Sequence, residues 1–287
     1  MKEVKLAKSA GFCFGVKRAV EMVYKEAEHN DHIYTFGPII HNEEVVRDLE
    51  DKGVIVVNSV EELQTIKGGT IIIRSHGVSK EIYDIMKAHN MNVVDATCPF
   101  VKKIHRIVSE HSANGETIII IGNDTHPEVE GIKGWCTGDV FVVENEQQVE
   151  KISISDKKKV CIVAQTTFNY NKFQDLVEII RKKVYDIIAV STICSATEER
   201  QTEARKLASE SDAMIVIGGR HSSNTQKLYQ ICKNECEFTT FIQKLDDLQL
   251  EELSSVRSVG ITAGASTPNN IIEEVWQACQ KKILQNY

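Results

Sequence analysis

The stretch VVDATCPF, residues 93–100, takes the chain from an apolar run to a cysteine and a proline. Val93 and Val94 are β-branched and typical of a strand, whereas proline is favoured at the first position of a helix. Cys98 is therefore predicted to stand where a strand gives way to a helix. Two more cysteines have similar surroundings, namely Cys13 in AGFCFGV and Cys194 in STICSAT.

Short β-branched runs alternate with amphipathic stretches along the chain. The runs predict strands at residues 32–36, 53–57, 70–74, 91–95, 117–121, 140–143, 159–164, 187–191, 213–218, 238–242 and 258–262. The stretches between them predict helices at residues 15–29, 43–51, 79–89, 99–113, 171–183, 197–210, 224–233 and 269–283. Continuous apolar strands that alternate with helices are typical of parallel sheets covered on both faces.

An internal repeat runs through this pattern. A glycine that closes a predicted strand follows each of the three cysteines by 24 residues, at Gly37, Gly122 and Gly218. A polar turn residue follows each by 28 residues, at His41, His126 and Ser222. A further polar turn occurs in each copy, at residues 74–80, 164–170 and 262–268. The chain is thus predicted to hold three copies of an α/β unit of roughly 90 residues, a modest domain size.

The bulk composition limits the function classes. The 287 residues are 42% hydrophobic and 26% charged, as in an ordinary globular protein. No apolar run approaches the ~20 residues that span a bilayer, and the first residues lack the apolar core of a signal peptide, so a cytoplasmic protein is predicted. The net charge of −7 disfavours a general nucleic-acid binder. Eight cysteines in such a protein are not expected to form a disulfide framework.

The three repeated cysteines suggest a metal centre. Ligands of parallel sheets bind beyond the carboxyl ends of the strands, so three copies that face one point would gather three thiols there. Thiolates select zinc, copper(I) or iron–sulfur clusters. Structural zinc usually takes closely spaced pairs such as C-x₂-C, which these cysteines do not form. A [4Fe–4S] cluster normally takes four cysteines, so three would leave one iron open, and an open metal position marks a catalytic site.

The same turns supply side chains that suit a phosphate. Backbone N–H groups and helix dipoles attract an anion even in an acidic protein. Glu128 is the one acidic side chain of the HPE turn, and a carboxyl in a dry site can deliver a proton. Plain helix caps are the alternative for Ser222, Asn224 and Ser266, and a surface turn is the alternative for His41. The full set of candidates is His41, His76, His126, Glu128, Thr166, Thr167, Ser222, Asn224 and Ser266.

Eight ordered motifs give the chain a family resemblance from about Lys5 to about Gln280. They read GFCFGVKRAV, SHGVSKEIYD, DATCPFVKKIH, GNDTHPEVEGIKGW, AQTTFN, STICSATEERQ, HSSNTQKL and TAGASTP. Together they resemble the LytB family of 4-hydroxy-3-methylbut-2-enyl diphosphate reductases, the last enzymes of the non-mevalonate isoprenoid pathway. One departure is Ser191, which stands where family members often have Asn.

The resemblance implies three pseudo-repeated α/β domains with mainly parallel sheets, arranged as a trefoil around a central iron–sulfur site. The predicted domains are residues 14–96, 97–190 and 191–287, and an N-terminal strand within residues 1–13 is expected to pack on the third. The resemblance also implies one [4Fe–4S] cluster with one open iron and three cysteine ligands, which are Cys13, Cys98 and Cys194.

A role for each candidate side chain follows from the same resemblance. Glu128 is the implied proton source, while His126 and Thr166 surround the allylic hydroxyl of the substrate. Two electrons arrive one at a time from an external carrier of the ferredoxin or flavodoxin type, water leaves, and isopentenyl or dimethylallyl diphosphate forms. The residues implied to hold the diphosphate are His41, His76, Ser222, Asn224 and Ser266, with Ser223 and Thr167 beside these positions.

Three alternative functions stay open. A nucleotide- or NAD-binding enzyme is disfavoured because the first turn, AGFCFGV, lacks the G-x-G-x-x-G fingerprint. A non-catalytic iron–sulfur sensor or RNA-contacting regulator would use the same cysteines, as would zinc-dependent hydrolysis. The basic runs 157–159 and 181–183 are predicted to be solvated faces that could meet an acidic electron carrier. The remaining cysteines are predicted to be packing residues, and these are Cys136, Cys161, Cys232, Cys236 and Cys279.

Overall fold

A computed structural model of the chain describes residues 3–89, 91–154, 159–184 and 186–284. The predicted basic run 157–159 therefore lies for the most part outside the described residues. The described strands are β1 (Glu3–Leu6), β2 (Ile33–Phe36), β3 (Val54–Val57), β4 (Thr70–Ile73), β5 (Asn92–Asp95), β6 (Thr117–Ile121), β7 (Val140–Val143), β8 (Val160–Ala164), β9 (Ile187–Ala189), β10 (Ala213–Ile217), β11 (Thr239–Ile242) and β12 (Ser258–Ala263).

The helices lie between these strands. They are α1 (Phe14–Ala27), α2 (Glu43–Asp51), α3 (Val60–Thr65), α4 (Lys80–Ala88), α5 (Pro99–Ala113), α6 (Pro127–Lys133), α7 (Glu146–Lys151), α8 (Tyr170–Arg181), α9 (Ser195–Ser209), α10 (Ser223–Glu235) and α11 (Asn269–Leu284), with two 3₁₀ helices at Leu245–Asp247 and Leu250–Ser255. The sequence did not predict α3, α6 and α7, because six or seven residues are too few to establish a helical period. In the described part of the chain, no helix combines the length and the apolar character that crossing a membrane requires.

Three four-stranded sheets share one topology. The first sheet has the order β3-β2-β4-β5, the second β7-β6-β8-β9 and the third β11-β10-β12-β1. Every strand pair that the structure describes is parallel. These sheets confirm the predicted α/β class with three copies of a parallel-sheet unit. The repeated glycines close equivalent strands with equivalent N–H···O=C bonds, which are Gly37 to Val57 (2.7 Å), Gly122 to Val143 (2.9 Å) and Gly218 to Ile242 (2.9 Å).

The chain divides into two compact units. The one-sheet unit comprises Met1–Lys17, His41–Val46 and Ser195–Tyr287 and contains the third sheet. Its edge strand β1 comes from the start of the chain and pairs in parallel with β12, with Glu3 opposite Ser258. The two-sheet unit comprises Arg18–Ile40 and Arg47–Cys194 and contains the first and second sheets.

The second sheet shows why an all-apolar strand such as TIIII is favoured. Successive side chains of a strand point to opposite faces, and here both faces are covered. Ile119 and Ile121 pack with residues of α8, such as Phe173 and Leu176. On the other face, Ile118 and Ile120 pack with residues of α5 and α6, which include Ile104, Val108, Val129 and Ile132. The strand therefore buries side chains on both faces, and a polar residue there would lose its contact with water.

Gly134, the C-cap of α6, brings this helix of the second sheet against the turn that follows β4 of the first. A Cβ atom on Gly134 would lie 2.2 Å from the Cβ of Ser79 and 2.9 Å from its Cα. The N–H of Lys80 donates to the carbonyl of Gly134 (3.3 Å). The indole Nε1 of Trp135 donates to the carbonyl of Val78 (2.9 Å). Within the two-sheet unit, this contact fixes α6 to the turn that carries His76.

Replacing Gly134 with Ala is expected to lower the melting temperature, because the added methyl group overlaps the backbone of Ser79. Overpacking of this kind costs about 1–3 kcal/mol, against a gain of roughly 0.4–1 kcal/mol from the stiffer unfolded chain. Gly138→Ala is the matched control, since a Cβ on Gly138 meets no atom within 4 Å. Calorimetry of both variants measures the difference, and equal melting temperatures would contradict the predicted overlap.

Candidate active site

The three repeated cysteines occupy equivalent places at the carboxyl edges of the sheets. Each one directly precedes a helix: Cys13 precedes α1, Cys98 precedes α5 and Cys194 precedes α9. The backbone N–H of each cysteine donates to a carbonyl in the turn beyond the neighbouring strand of its own sheet. The three bonds are Cys13 to Ala265 (3.3 Å), Cys98 to Ser75 (2.9 Å) and Cys194 to Thr166 (3.0 Å).

These three thiols differ from the other cysteines in their surroundings. Each is only partly buried and stands directly before the first turn of a helix. By contrast, burial raises the pKa of the thiols of Cys136, Cys161, Cys232 and Cys279 to about 12. Cys236 is also buried, in the same apolar cluster as Cys232. Sulfur donors at helix starts fit an iron–sulfur cluster, whereas thiols whose pKa is raised by burial do not.

Glu128 and Thr166 form a buried pair in the two-sheet unit. Glu128 lies on α6, and its side chain is only 2% exposed. One carboxylate oxygen accepts from the Thr166 N–H (2.6 Å), and the other accepts from the Thr166 hydroxyl (2.7 Å). The carbonyl of the same threonine accepts from the N–H of Cys194 (3.0 Å). A carboxyl, a hydroxyl and a candidate ligand cysteine are thus linked through one residue.

Two histidines stand at the neighbouring strand ends. The Nδ1 atom of His126 accepts from the N–H of Glu128 (3.1 Å) and so caps α6. Because Nδ1 accepts, the proton of the neutral ring lies on Nε2. The His76 ring packs edge-on against His126, with 5.5 Å between the ring centroids and 78° between their planes. Within the two-sheet unit, the structure therefore brings His76, His126 and the start of the carboxyl-bearing helix α6 together.

In the one-sheet unit, polar residues gather at the start of α10. The Ser222 hydroxyl oxygen accepts from the N–H of Thr225 (3.3 Å), so the helix-cap alternative for this residue is confirmed. Its own hydroxyl proton remains available to donate to an anion. Ser223 is the first residue of the helix, and Asn224 is the second. The Ser266 hydroxyl donates to the carbonyl of His41 (3.2 Å).

Asn224 is the most informative residue of this group. Its side chain is 4% exposed, yet neither its amide nitrogen nor its amide oxygen has a hydrogen-bond partner among the described residues. Buried polar groups without partners are rare, and each costs about 1–3 kcal/mol. A helix cap would use these atoms, so the cap alternative does not explain Asn224. A polar ligand at the start of α10 would satisfy them.

One residue that the sequence analysis did not single out also orders the site. Gln165 is fully buried, and its side-chain oxygen accepts from the N–H of Asn123 (3.2 Å). This bond ties the turn after β6 to the turn after β8. The first turn leads into α6, which carries Glu128, and the second turn carries Thr166. The sequence feature that could have indicated this role is the position of Gln165 in AQTT, directly before Thr166. Thr167 lies next in this turn and is partly exposed.

Comparison with known proteins agrees with this geometry. The family model described as LytB protein matches residues 4–280. A relative from Clostridioides difficile, named 4-hydroxy-3-methylbut-2-enyl diphosphate reductase, is 48% identical over 273 residues, which cover 95% of this chain and 97% of the relative. A relative of the same name from Caldanaerobacter subterraneus is 44% identical over 275 residues and 95% of each chain.

Solved structures show the same likeness. The structure of an (E)-4-hydroxy-3-methyl-but-2-enyl diphosphate reductase is 39% identical, with a TM-score of 0.70, and the match covers 98% of this chain and 100% of that one. The structure of the Plasmodium falciparum reductase is 31% identical, with a TM-score of 0.88, over 95% of this chain and 86% of that one. Sequence and fold agree over nearly the whole length, and the chain therefore belongs to the LytB family.

Proposed function

We propose that this chain removes the allylic hydroxyl of 4-hydroxy-3-methylbut-2-enyl diphosphate. Two electrons and two protons enter, and the products are isopentenyl or dimethylallyl diphosphate and one water. The reductase activity rests on relatives of that name that share 44–48% of their residues over 95% of this chain. The assignment of residues rests on one observation above all, the buried Glu128–Thr166 pair bonded to Cys194.

The family suggests an iron–sulfur cofactor, and Cys13, Cys98 and Cys194 are the residues that would hold it. We assign a [4Fe–4S] cluster with three cysteine ligands, because these three thiols share one backbone environment, whereas the other cysteines lie in or pack against the apolar clusters. When bound, such a cluster supplies electrons singly and offers an open, Lewis-acidic iron. The electrons would come from an external carrier of the ferredoxin or flavodoxin type.

Glu128 is assigned as the proton source. Its carboxyl is buried and bonded to the Thr166 hydroxyl, so a proton can pass between these two groups away from bulk water. A protonated Glu128 would donate to the Thr166 oxygen, whose own hydroxyl proton would pass to the departing oxygen. This transfer makes water rather than hydroxide the leaving group. The second proton of the turnover goes to a carbon atom of the allyl group.

The diphosphate is assigned to the start of α10 and to the histidines. The thirteen-residue helix α10 points its positive end toward Ser222, Ser223 and Asn224. Its dipole and N–H groups favour an anion in spite of the net charge of −7. His41 and Ser266 complete this part of the assignment, while His76 and His126 offer ring N–H groups in the two-sheet unit. Holding both ends of the substrate turns an encounter into an oriented complex.

Single Cys→Ser replacements at Cys13, Cys98 and Cys194 are expected to remove most of the bound iron and acid-labile sulfide, because a hydroxyl is a poor ligand for iron–sulfur clusters. The proteins are purified without oxygen and assayed for both elements. Cys136→Ser is the matched control, since this thiol is also partly buried but is kept protonated by its apolar surroundings. Equal iron loss in the control and the three variants would contradict the ligand assignment.

Glu128→Gln is expected to lower turnover by roughly 10²–10⁴-fold, the usual contribution of a positioned acid, without loss of iron. The amide keeps the size of the side chain and can still accept one bond from Thr166. Turnover is measured with dithionite as the electron source. Glu146→Gln, at an exposed glutamate in the first turn of α7, is the control. A Glu128→Gln enzyme within a few-fold of the wild-type rate would rule out the proton role, and a wild-type protein without turnover would favour the sensor alternative.

Asn224→Ala is expected to raise KM for the diphosphate substrate roughly 10–100-fold with a smaller change in kcat, because a hydrogen bond to a charged group contributes about 1.5–3 kcal/mol. Asn171→Ala provides the control, since Asn171 is likewise the second residue of its helix but is exposed. Steady-state kinetics at varied substrate concentration separate the two constants. An unchanged KM in the Asn224 variant would remove this residue from the diphosphate site.

A further inference from the structure

The outer face of α5 begins with an unusual exposed residue. Phe100 stands two positions after Cys98, and its ring is 41% exposed. The apolar stripe of the same helix is buried without it and includes Val101, Ile104 and Val108. Single exposed apolar residues are common on proteins, so the exposure of Phe100 indicates a binding surface only in combination with its neighbours. Those neighbours are a candidate cluster ligand on one side and a row of cations on the other.

Three cations follow Phe100 on the exposed side of α5. Lys102, Lys103 and Arg106 are all exposed, and the first acidic residue of the helix is Glu110. Lys102 pairs with Asp95 at 2.7 Å, and Arg106 lies 4.0 Å from Glu110. Among the described residues, no carboxylate lies within 4.0 Å of Lys103. We define Phe100, Lys102, Lys103 and Arg106 as the α5 face.

Comparison of the three repeat copies shows that the fold does not require these charges. The helix after each cysteine carries a charged pair at the fourth and fifth positions beyond it. The pair is Lys17–Arg18 after Cys13 and Lys102–Lys103 after Cys98, but Glu198–Glu199 after Cys194. In the first copy Arg18 is used inside the protein, where its guanidinium donates to the carbonyl of Thr97 (3.2 Å).

A cavity adjoins the α5 face. Its volume is about 500 Å³, and its lining includes Lys102 and Arg106 together with their carboxylate partners Asp95 and Glu110. The rings of His105 and Trp135 stack in its wall, with 5.2 Å between centroids and 16° between planes. His105 is buried, and its Nε2 atom has no partner among the described residues. Lys102 and Arg106 thus belong both to the α5 face and to this cavity, on a helix that a candidate ligand cysteine precedes.

We infer that the α5 face is the docking surface for an acidic one-electron carrier protein. The inference rests on the proposed function, which requires an external electron source. A basic patch on a protein of net charge −7 attracts acidic partners selectively and speeds their encounter. Phe100 supplies an apolar contact at the end of the patch nearest to Cys98. Each docking would oxidise the carrier by one electron, so two successive dockings would deliver the two electrons that one turnover consumes.

The experiment compares two electron sources on the same holoenzyme. One is a reduced, acidic [2Fe–2S] ferredoxin, and the other is dithionite, which needs no docking surface. Lys103→Glu is expected to lower kcat/KM for the ferredoxin roughly tenfold at low ionic strength, the lower end of measured steering effects. At about 1 M salt, where charges are screened beyond ~3 Å, the difference should largely vanish. Phe100→Ala should lower the ferredoxin rate at both salt concentrations, since its contact is apolar.

Two controls separate docking from catalysis. Both variants should keep the wild-type iron content and their dithionite-driven turnover. Lys172→Glu makes the same charge change at an exposed lysine in the first turn of α8 and should leave the ferredoxin constants unchanged. Calorimetric titration with oxidised ferredoxin gives a readout without turnover, and Lys103→Glu should weaken this binding by a similar factor.

Each other outcome has a definite meaning. Equal ferredoxin kinetics and binding in Lys103→Glu, Lys172→Glu and wild-type protein would overturn the docking surface while the reductase assignment stands. A wild-type enzyme that turns over with dithionite but neither binds nor accepts electrons from the acidic ferredoxin would overturn the inferred partner. Absence of turnover with dithionite in the wild type would instead contradict the proposed function itself.

Discussion

One backbone hydrogen bond, repeated in each copy, is the constraint on which the candidate site depends. It joins the N–H of each repeated cysteine to the turn beyond the neighbouring strand. In a parallel sheet the carboxyl ends of all strands lie at one edge, and this bond holds the start of the next helix at that edge. Each sulfur therefore lies beside the positive end of a helix. Because the bond uses only backbone atoms, the side chains beside it can differ from copy to copy.

Thr166 shows this most clearly, because it bonds through its side chain as well as its backbone. Its carbonyl holds Cys194, while its N–H and hydroxyl hold the carboxylate of Glu128. The carboxylate reaches this position because α6 begins at Pro127, directly after the cap provided by His126. The same short helix is fixed to the His76 turn through Gly134 and the indole of Trp135. The Glu128 carboxyl, the Thr166 hydroxyl and the imidazoles of His76 and His126 are thus positioned by packing between two sheets of one unit.

The sequence allowed the strands and long helices to be predicted because both leave a periodic pattern, as TIIII and the stripe of α5 show. It also placed the cysteines and polar turns at strand ends. It did not predict α6, whose seven residues depend on tertiary contacts. The only indication of this helix in the sequence was the segment GIKGW. The Glu128–Thr166 pair spans 38 residues and exists because β6 and β8 are neighbours in the sheet. The unpartnered amide of Asn224 and the exposure of Phe100 are properties of packing that a single sequence does not record.

The differences between the copies matter for the proposed reaction. At the turn position 28 residues after each cysteine, His126 and Ser222 cap the following helix with their side chains, whereas His41 accepts a bond through its carbonyl. A site with three identical turns would offer the same groups in every direction. The proposed substrate has a diphosphate at one end and a hydroxyl at the other, so identical turns could not orient it. A repeated backbone with unlike side chains can orient such a substrate. The backbone keeps the cysteine geometry constant, while the second copy carries the carboxyl and the third carries the amide and hydroxyls.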